Sequence, residues 1–134
     1  MEDIFQELID KAKEERLKAY APYSKFKVGS AVLTENNTIF TGCNIENASL
    51  GLSICAERVA IFKAISSGYK TFKAIAVICD TEEPCSPCGA CRQMMVEFSP
   101  EMEVIMVNLQ NKIKIAKAKE LLPGFFQGRA LKQR

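Results

Sequence analysis

The chain contains no histidine and no tryptophan among its 134 residues. Without histidine, Ser-His-Asp and Cys-His nucleophilic systems are excluded, and any zinc site must be built from thiolates and perhaps carboxylates. Net charge is equally sparse. Eighteen basic and 16 acidic residues leave +2, too little to argue for nucleic acid or a membrane surface as partner. No apolar run approaches the roughly 20 residues that span a bilayer. The N-terminal stretch MEDIFQELIDKAKEER is acidic and then mixed in charge, without a secretory apolar core. No repeat, low-complexity tract or Pro/Gly/Ser linker divides the sequence. A single domain over residues 1–134 and a cytoplasmic location are therefore expected. In a reducing compartment, cysteines are more often metal ligands or inert core residues than disulfides.

Against those absences stand six cysteines, three of them in PCSPCGACRQMM, Pro84 to Met95. The surrounding pattern sets their context. Residues Asp3 to about Lys18 read as an amphipathic helix, with Phe5, Leu8, Ile9 and Ala12 on one stripe and Asp3 as its cap. VGSAVLTE and TIFTGCNI flank Asn36-Asn37 and read as a hairpin. NIENASLGLSI is polar and irregular. CAERVAIFKAISSG predicts a helix with Val59, Ile61, Phe62 and Ile65 as its apolar positions and Gly68 as its stop. FKAIAVICD and EVIMVNL are nearly continuous apolar strands of the doubly buried kind. KIKIA reads as a shorter strand and KAKELLP as a short last helix. The order α-β-β-α-β-α-β-β-α predicts an α/β sandwich, a mixed five-stranded sheet with helices on both faces.

Ser86 as N-cap and Pro87 as first helical residue would put Cys88 and Cys91 in a first helical turn. Residues three apart share a helix face, with Cβ atoms about 5–6 Å apart, so two thiolates there can share one tetrahedral zinc. Cys55 also opens a helix, where the dipole favours a thiolate. Cys43 and Cys79 lie in apolar strands and read as small buried hydrophobes. Glu57 stands two residues after Cys55. It reads as a carboxylate favoured by the helix N-terminus, or, beside an open zinc position, as a proton shuttle. Arg58 is either a solvated charge or the guanidinium that offsets the excess charge of three thiolates on one Zn²⁺. From the residues alone, three Cys with an open fourth position and an acid/base Glu make a hydrolytic layout. A closed four-thiolate module that also uses Cys85, and a C-x-x-C redox dithiol, are the alternatives.

CAERVAIFKA followed by SPCGACRQ resembles the cytidine deaminase family, in its small, zinc-dependent, nucleoside-acting branch. YSKFKVGSAVLTE, IFTGCNIENAS and ELLPGFF resemble the same branch in the same order, so the similarity runs from about Tyr23 to Phe126. The resemblance implies a three-layer α-β-α fold and one Zn²⁺ per chain on Cys55, Cys88 and Cys91. It implies hydrolysis of cytidine and deoxycytidine to uridine and deoxyuridine with release of ammonia. Glu57 would take a proton from the attacking water, protonate the ring at N3 and help ammonia leave; this is the general chemistry of zinc deaminases, not a deduction from this chain. Phe26, Asn44, Glu46, Ala56, Ser86 and Phe126 would contact the nucleoside, Asn44 and Glu46 at the ribose. Arg58 and Gln93 would be partners of the thiolates. The family's homotetramer implies shared active sites, with Phe126 rather than Phe125 reaching a neighbour's pocket. Two positions depart from the pattern. Leu50 stands where many relatives carry Tyr, and Cys85, where they carry an aliphatic residue, is expected to be a partly buried bystander thiol. A deaminase acting on nucleic acid is disfavoured by the near-neutral charge, the lack of Trp and the short length.

Overall fold

The computed structural model describes residues 3–131. Alternation along its strands decides the layering. The strands are β1 (Val28–Thr34), β2 (Ile39–Cys43), β3 (Phe72–Cys79), β4 (Glu103–Asn108) and β5 (Ile113–Lys117). They form one sheet in the order β2-β1-β3-β4-β5, with β3 and β4 parallel and every other pair antiparallel. Successive side chains of a strand face opposite sides. Ala74, Ala76 and Ile78 of β3 therefore meet Leu8, Ile9 and Ala12 of α1 (Asp3–Arg16) on one face. Ile75, Val77 and Cys79 join Ile61 of α2 (Ala56–Ser66) and Met95 of α3 (Gly89–Phe98) on the other. The three-layer mixed α/β architecture expected from the sequence is the one observed. No helix among the described residues is long and apolar enough to cross a membrane.

Several boundaries differ from expectation. α1 ends at Arg16. α3 begins at Gly89, so Cys88, not Ser86, is its N-cap; Pro87 lies outside the helix. On α2 the buried positions are Ala56, Glu57, Ala60, Ile61 and Ala64, while Phe62 is exposed. Small residues, not the bulky ones, face the sheet because helix and strand approach closely there. At Gly42 an added Cβ would lie 2.5 Å from the Ala60 nitrogen and collide with the Ala56 carbonyl. Only glycine allows β2 to carry the first turn of α2 at this distance. The last helix expected at KAKELLP is a single 3₁₀ turn, Ala118–Leu121, and further short 3₁₀ turns lie at Leu50–Leu52 and Gly128–Leu131.

The connection from β3 to α3 positions the three-cysteine stretch. Asn108, fully buried at the end of β4, donates to the Glu82 carbonyl at 2.7 Å. The Cys85 amide donates to the Val107 carbonyl at 3.3 Å. The connection is thus pinned along β4 before it turns into α3. That course brings Cys85 beside Cys79, and the two are joined as a disulfide with Cα atoms 5.6 Å apart. Cys79 is buried in the core as expected; Cys85 stays outside the metal group as expected of a bystander, but it is paired with Cys79 rather than a free thiol.

Candidate active site

Two helix N-termini converge beyond the ends of β2 and β3. Cys55 is the N-cap of α2 and Cys88 the N-cap of α3, both with extended backbone and neither with a side-chain capping bond. Cys91 lies in the first turn of α3 and is fully buried. The Cys55 and Cys88 sulfurs are 3.7 Å apart, and those of Cys88 and Cys91 3.6 Å. All three lie within 4.8 Å of one another. Ligands about 2.3 Å from a tetrahedral zinc are about 3.8 Å from each other, so this triad fits a zinc ion by donor type and by spacing. Cys85 is outside it. Its sulfur is committed to Cys79, which removes the fourth ligand that a closed four-thiolate module requires.

The surroundings favour anionic sulfur. Each helix N-terminus contributes a partial positive charge at its capping thiol. The Cys55 thiol is held down to about 5, first by its hydrogen bond with Cys91 and then, with burial opposing, by Arg58 and Cys88. Cys91 is pushed far above the ordinary thiol range by that same bond to Cys55, then by burial and by Glu57. The sulfur contacts thus favour a thiolate at Cys55 and disfavour one at the buried Cys91. A divalent cation held here would favour the thiolate form at all three positions, since thiolates are the ligating form. Arg58 places its Nη2 3.5 Å from the Cys55 sulfur. Its buried Nε has no hydrogen-bond partner, a cost that the neighbouring negative charge offsets.

Glu57 is 4% exposed. Burial pushes its carboxyl up to about 7, the Cys55 thiolate adds to the rise, and its own backbone amide and Arg58 oppose it. It faces a cavity of about 300 Å³ that Cys55, Cys88, Phe26, Asn44, Glu46 and Ser86 also line. Ala56 contributes to the same wall. The structure therefore brings Cys55, Cys88, Glu57 and five of the six expected substrate contacts to one cavity, with Cys91 buried behind the two lining sulfurs. Phe126 is not among its lining residues and is 57% exposed, while Phe125 packs against the core of its own chain.

One side chain is bonded otherwise than expected, and a second, though on the cavity wall as expected, carries further bonds. The Gln93 amide donates to the Phe126 carbonyl at 2.9 Å instead of to a thiolate. Asn44 accepts from the Val28 amide and donates to the Phe26 carbonyl, both at 2.8 Å, so much of its bonding capacity holds the loop that carries Phe26. One residue had no role in the sequence reading. Arg92 donates to the Pro87 carbonyl at 2.8 Å, the Leu121 carbonyl at 2.8 Å and the Ser86 hydroxyl at 2.6 Å. It ties the turn before α3 to the segment leading to Phe126. Its position just after Cys91 was the only signal available, because all three acceptors are brought to it by tertiary structure.

Comparison with known proteins agrees with this site. The family model described as "Cytidine and deoxycytidylate deaminase zinc-binding region" matches residues 3–107. A cytidine deaminase of Sporosarcina psychrophila is 52% identical over 122 residues, 90% of each chain. One from Halalkalibacterium halodurans is 51% identical, covering 90% of this chain and 92% of its own. The crystal structure of cytidine deaminase from Burkholderia pseudomallei superposes with a TM-score of 0.89 at 50% identity, covering 94% of this chain and all of the other.

The ligand set leads to a direct test. Cys88→Ser should lose stoichiometric zinc, whereas Cys85→Ser should retain about one zinc per chain, both measured by metal analysis of purified protein. Loss of zinc in Cys85→Ser would restore the four-thiolate site.

Proposed function

This chain belongs to the cytidine and deoxycytidylate deaminase family, and from that premise we propose that it hydrolyses cytidine and deoxycytidine through the site just described. Water adds at C4 of the cytosine ring, the C4–amine bond breaks, and uridine or deoxyuridine leaves with ammonia. The enzyme is a zinc-dependent hydrolase, and its substrates are the nucleoside and water. The observation that carries this reading is that a buried Glu57 lines the same cavity as Cys55 and Cys88, two sulfurs of the three-cysteine group.

Cys55, Cys88 and Cys91 would hold the zinc, which when bound would supply Lewis acidity for an attacking water near neutral pH. The protein's own groups supply the rest. A carboxyl pushed up to about 7 can both accept and return a proton at that pH. Glu57 can therefore take the proton from water, deliver it to ring N3, and assist ammonia as it departs. Arg58 beside Cys55 offsets the excess charge that three thiolates leave on a divalent cation. Phe26 and Ser86 line the cavity; in this reading Phe26 packs against the flat base and the Ser86 backbone meets the leaving amino group. Glu46 accepts sugar hydroxyls. No residue lining the cavity among the described residues is Lys or Arg, which favours an uncharged nucleoside over a nucleotide beside the Glu46 carboxylate.

The proposal extends to assembly. Phe126 is exposed, as are Leu50 and Leu52. Apolar surface of this kind favours association, and a homotetramer in which Phe126 completes a neighbour's pocket accounts for an aromatic residue turned away from its own cavity.

The catalytic role is tested by Glu57→Gln, which keeps size and removes proton transfer. With cytidine as substrate, ammonia release and the ultraviolet change to uridine should slow at least about 10²–10⁴-fold while zinc is retained. Near wild-type turnover would remove Glu57 from the mechanism. Sharing of sites is tested by co-refolding Glu57→Ala with Phe126→Ala in equal amounts. Random assembly pairs an intact Glu57 with an intact neighbouring Phe126 at roughly a quarter of sites, so activity should exceed the average of the two unmixed variants. Mixed assemblies, verified by mass spectrometry, that give only the average would confine Phe126 to its own chain.

A further inference from the structure

The sugar side of the cavity is held together by one hydroxyl. Lys25, between Ser24 and Phe26, has a left-handed backbone with φ 61°. A non-glycine residue adopts that conformation at a cost and needs support from outside. Part of the support comes from Asn44, bonded to the Phe26 carbonyl and the Val28 amide. The Lys25 amide itself donates to the Ala21 carbonyl at 3.0 Å, and Glu46 braces the residues before it. Its Oε1 accepts from the Tyr23 and Ser24 amides, both at 3.0 Å. Its Oε2 accepts from the Ser24 hydroxyl. That same hydroxyl oxygen accepts from the Phe26 amide at 3.0 Å.

We propose that Ser24 is a positioning residue that sets sugar specificity, locking the Glu46 carboxylate to the Phe26 segment and leaving that carboxylate one free acceptor position toward the cavity. An ionised carboxylate offers about four lone-pair sites. Two on Oε1 serve backbone amides and one on Oε2 serves Ser24, so one remains, on Oε2. The hydrogen bonds from Ser24 and Tyr23 also hold the Glu46 carboxyl below its usual range, the Ser24 hydroxyl contributing most. It therefore stays an acceptor, suited to a sugar hydroxyl and unsuited to a phosphate. Since the Ser24 oxygen also holds the Phe26 amide, the aromatic wall for the base and the acceptor for the sugar move as one piece. The sugar and the base are thereby read at a fixed separation.

This inference rests on the reading of Glu46 as a sugar contact, and the test separates the two. Steady-state kinetics are measured for wild type, Ser24→Ala, Ser24→Thr, Glu46→Gln and the Ser24→Ala/Glu46→Gln double variant. Substrates are cytidine and 2′,3′-dideoxycytidine, which lacks both ring hydroxyls, and zinc content is checked in each. With cytidine, Ser24→Ala should raise KM about tenfold with kcat within about twofold. Ser24→Thr, which keeps the hydroxyl, should restore KM. With dideoxycytidine the Ser24→Ala penalty should largely vanish. In the double variant the two effects should be less than additive, as for groups acting through one contact. An unchanged KM in Glu46→Gln overturns the sugar reading and the inference with it. A raised KM in Glu46→Gln with an unchanged KM in Ser24→Ala overturns the Ser24 inference alone. So does an equal Ser24→Ala penalty on both substrates, or one that Thr fails to relieve, since either describes a loop that is only structural.

Discussion

Three sulfurs crowded at the meeting of two helix N-termini are the constraint to which the rest of the site answers. Three thiolates 3.6–3.7 Å from their neighbours repel one another strongly. Helix dipoles contribute only about 0.3–1 kcal/mol each at such positions. Arg58 reaches one sulfur directly. These groups offset part of that repulsion, and a divalent cation would offset the rest. Glu57 answers to the same constraint. It is buried beside an anionic sulfur, so its carboxyl is driven up to about 7 and becomes a group that can exchange protons at neutral pH.

The fold brings these groups together through a few tight contacts. Gly42 lets the first turn of α2 lie on β2, which fixes Cys55 and Glu57. Asn108 and the Cys85 amide hold the β3–α3 connection along β4, which fixes Cys88 and Cys91. Arg92 then couples that connection to the Leu121 carbonyl, and Gln93 carries the coupling to Phe126. On the opposite wall, Ser24, Asn44 and Glu46 bind one loop. The site is therefore built from three stretches of chain: the start of α2, which carries both Cys55 and Glu57, the start of α3 with Cys88 and Cys91, and the loop bonded by Ser24, Asn44 and Glu46. A helix N-terminus at the end of a strand in an open sheet is a place where ligand sites commonly form.

Much of this was legible in the sequence, and the division between legible and hidden is physical. Strand runs such as FKAIAVICD announce burial on both faces, and helix ends announce themselves by local signals. Cys88 and Cys91 could be paired because their spacing is a property of one helix turn, and Cys55 because a helix start favours a thiolate. The start of α3 was misplaced by two residues because Ser86-Pro87 satisfies the usual opening pattern, yet the Ser86 hydroxyl is taken by Arg92. The Cys79–Cys85 pairing was hidden because it depends on the path of a loop. So were the commitments of Asn44 and Gln93 to backbone carbonyls. Residue types and spacing identify groups capable of chemistry, and only the tertiary course decides which partners they have.

The central claim is that zinc is held by three thiolates with one position left for a non-sulfur ligand. X-ray absorption at the zinc edge of the purified protein measures that directly. The account predicts three sulfur neighbours at about 2.3 Å and one oxygen or nitrogen neighbour at about 2.0–2.2 Å. Four sulfur neighbours would contradict it, because a closed thiolate shell leaves no place for water to react.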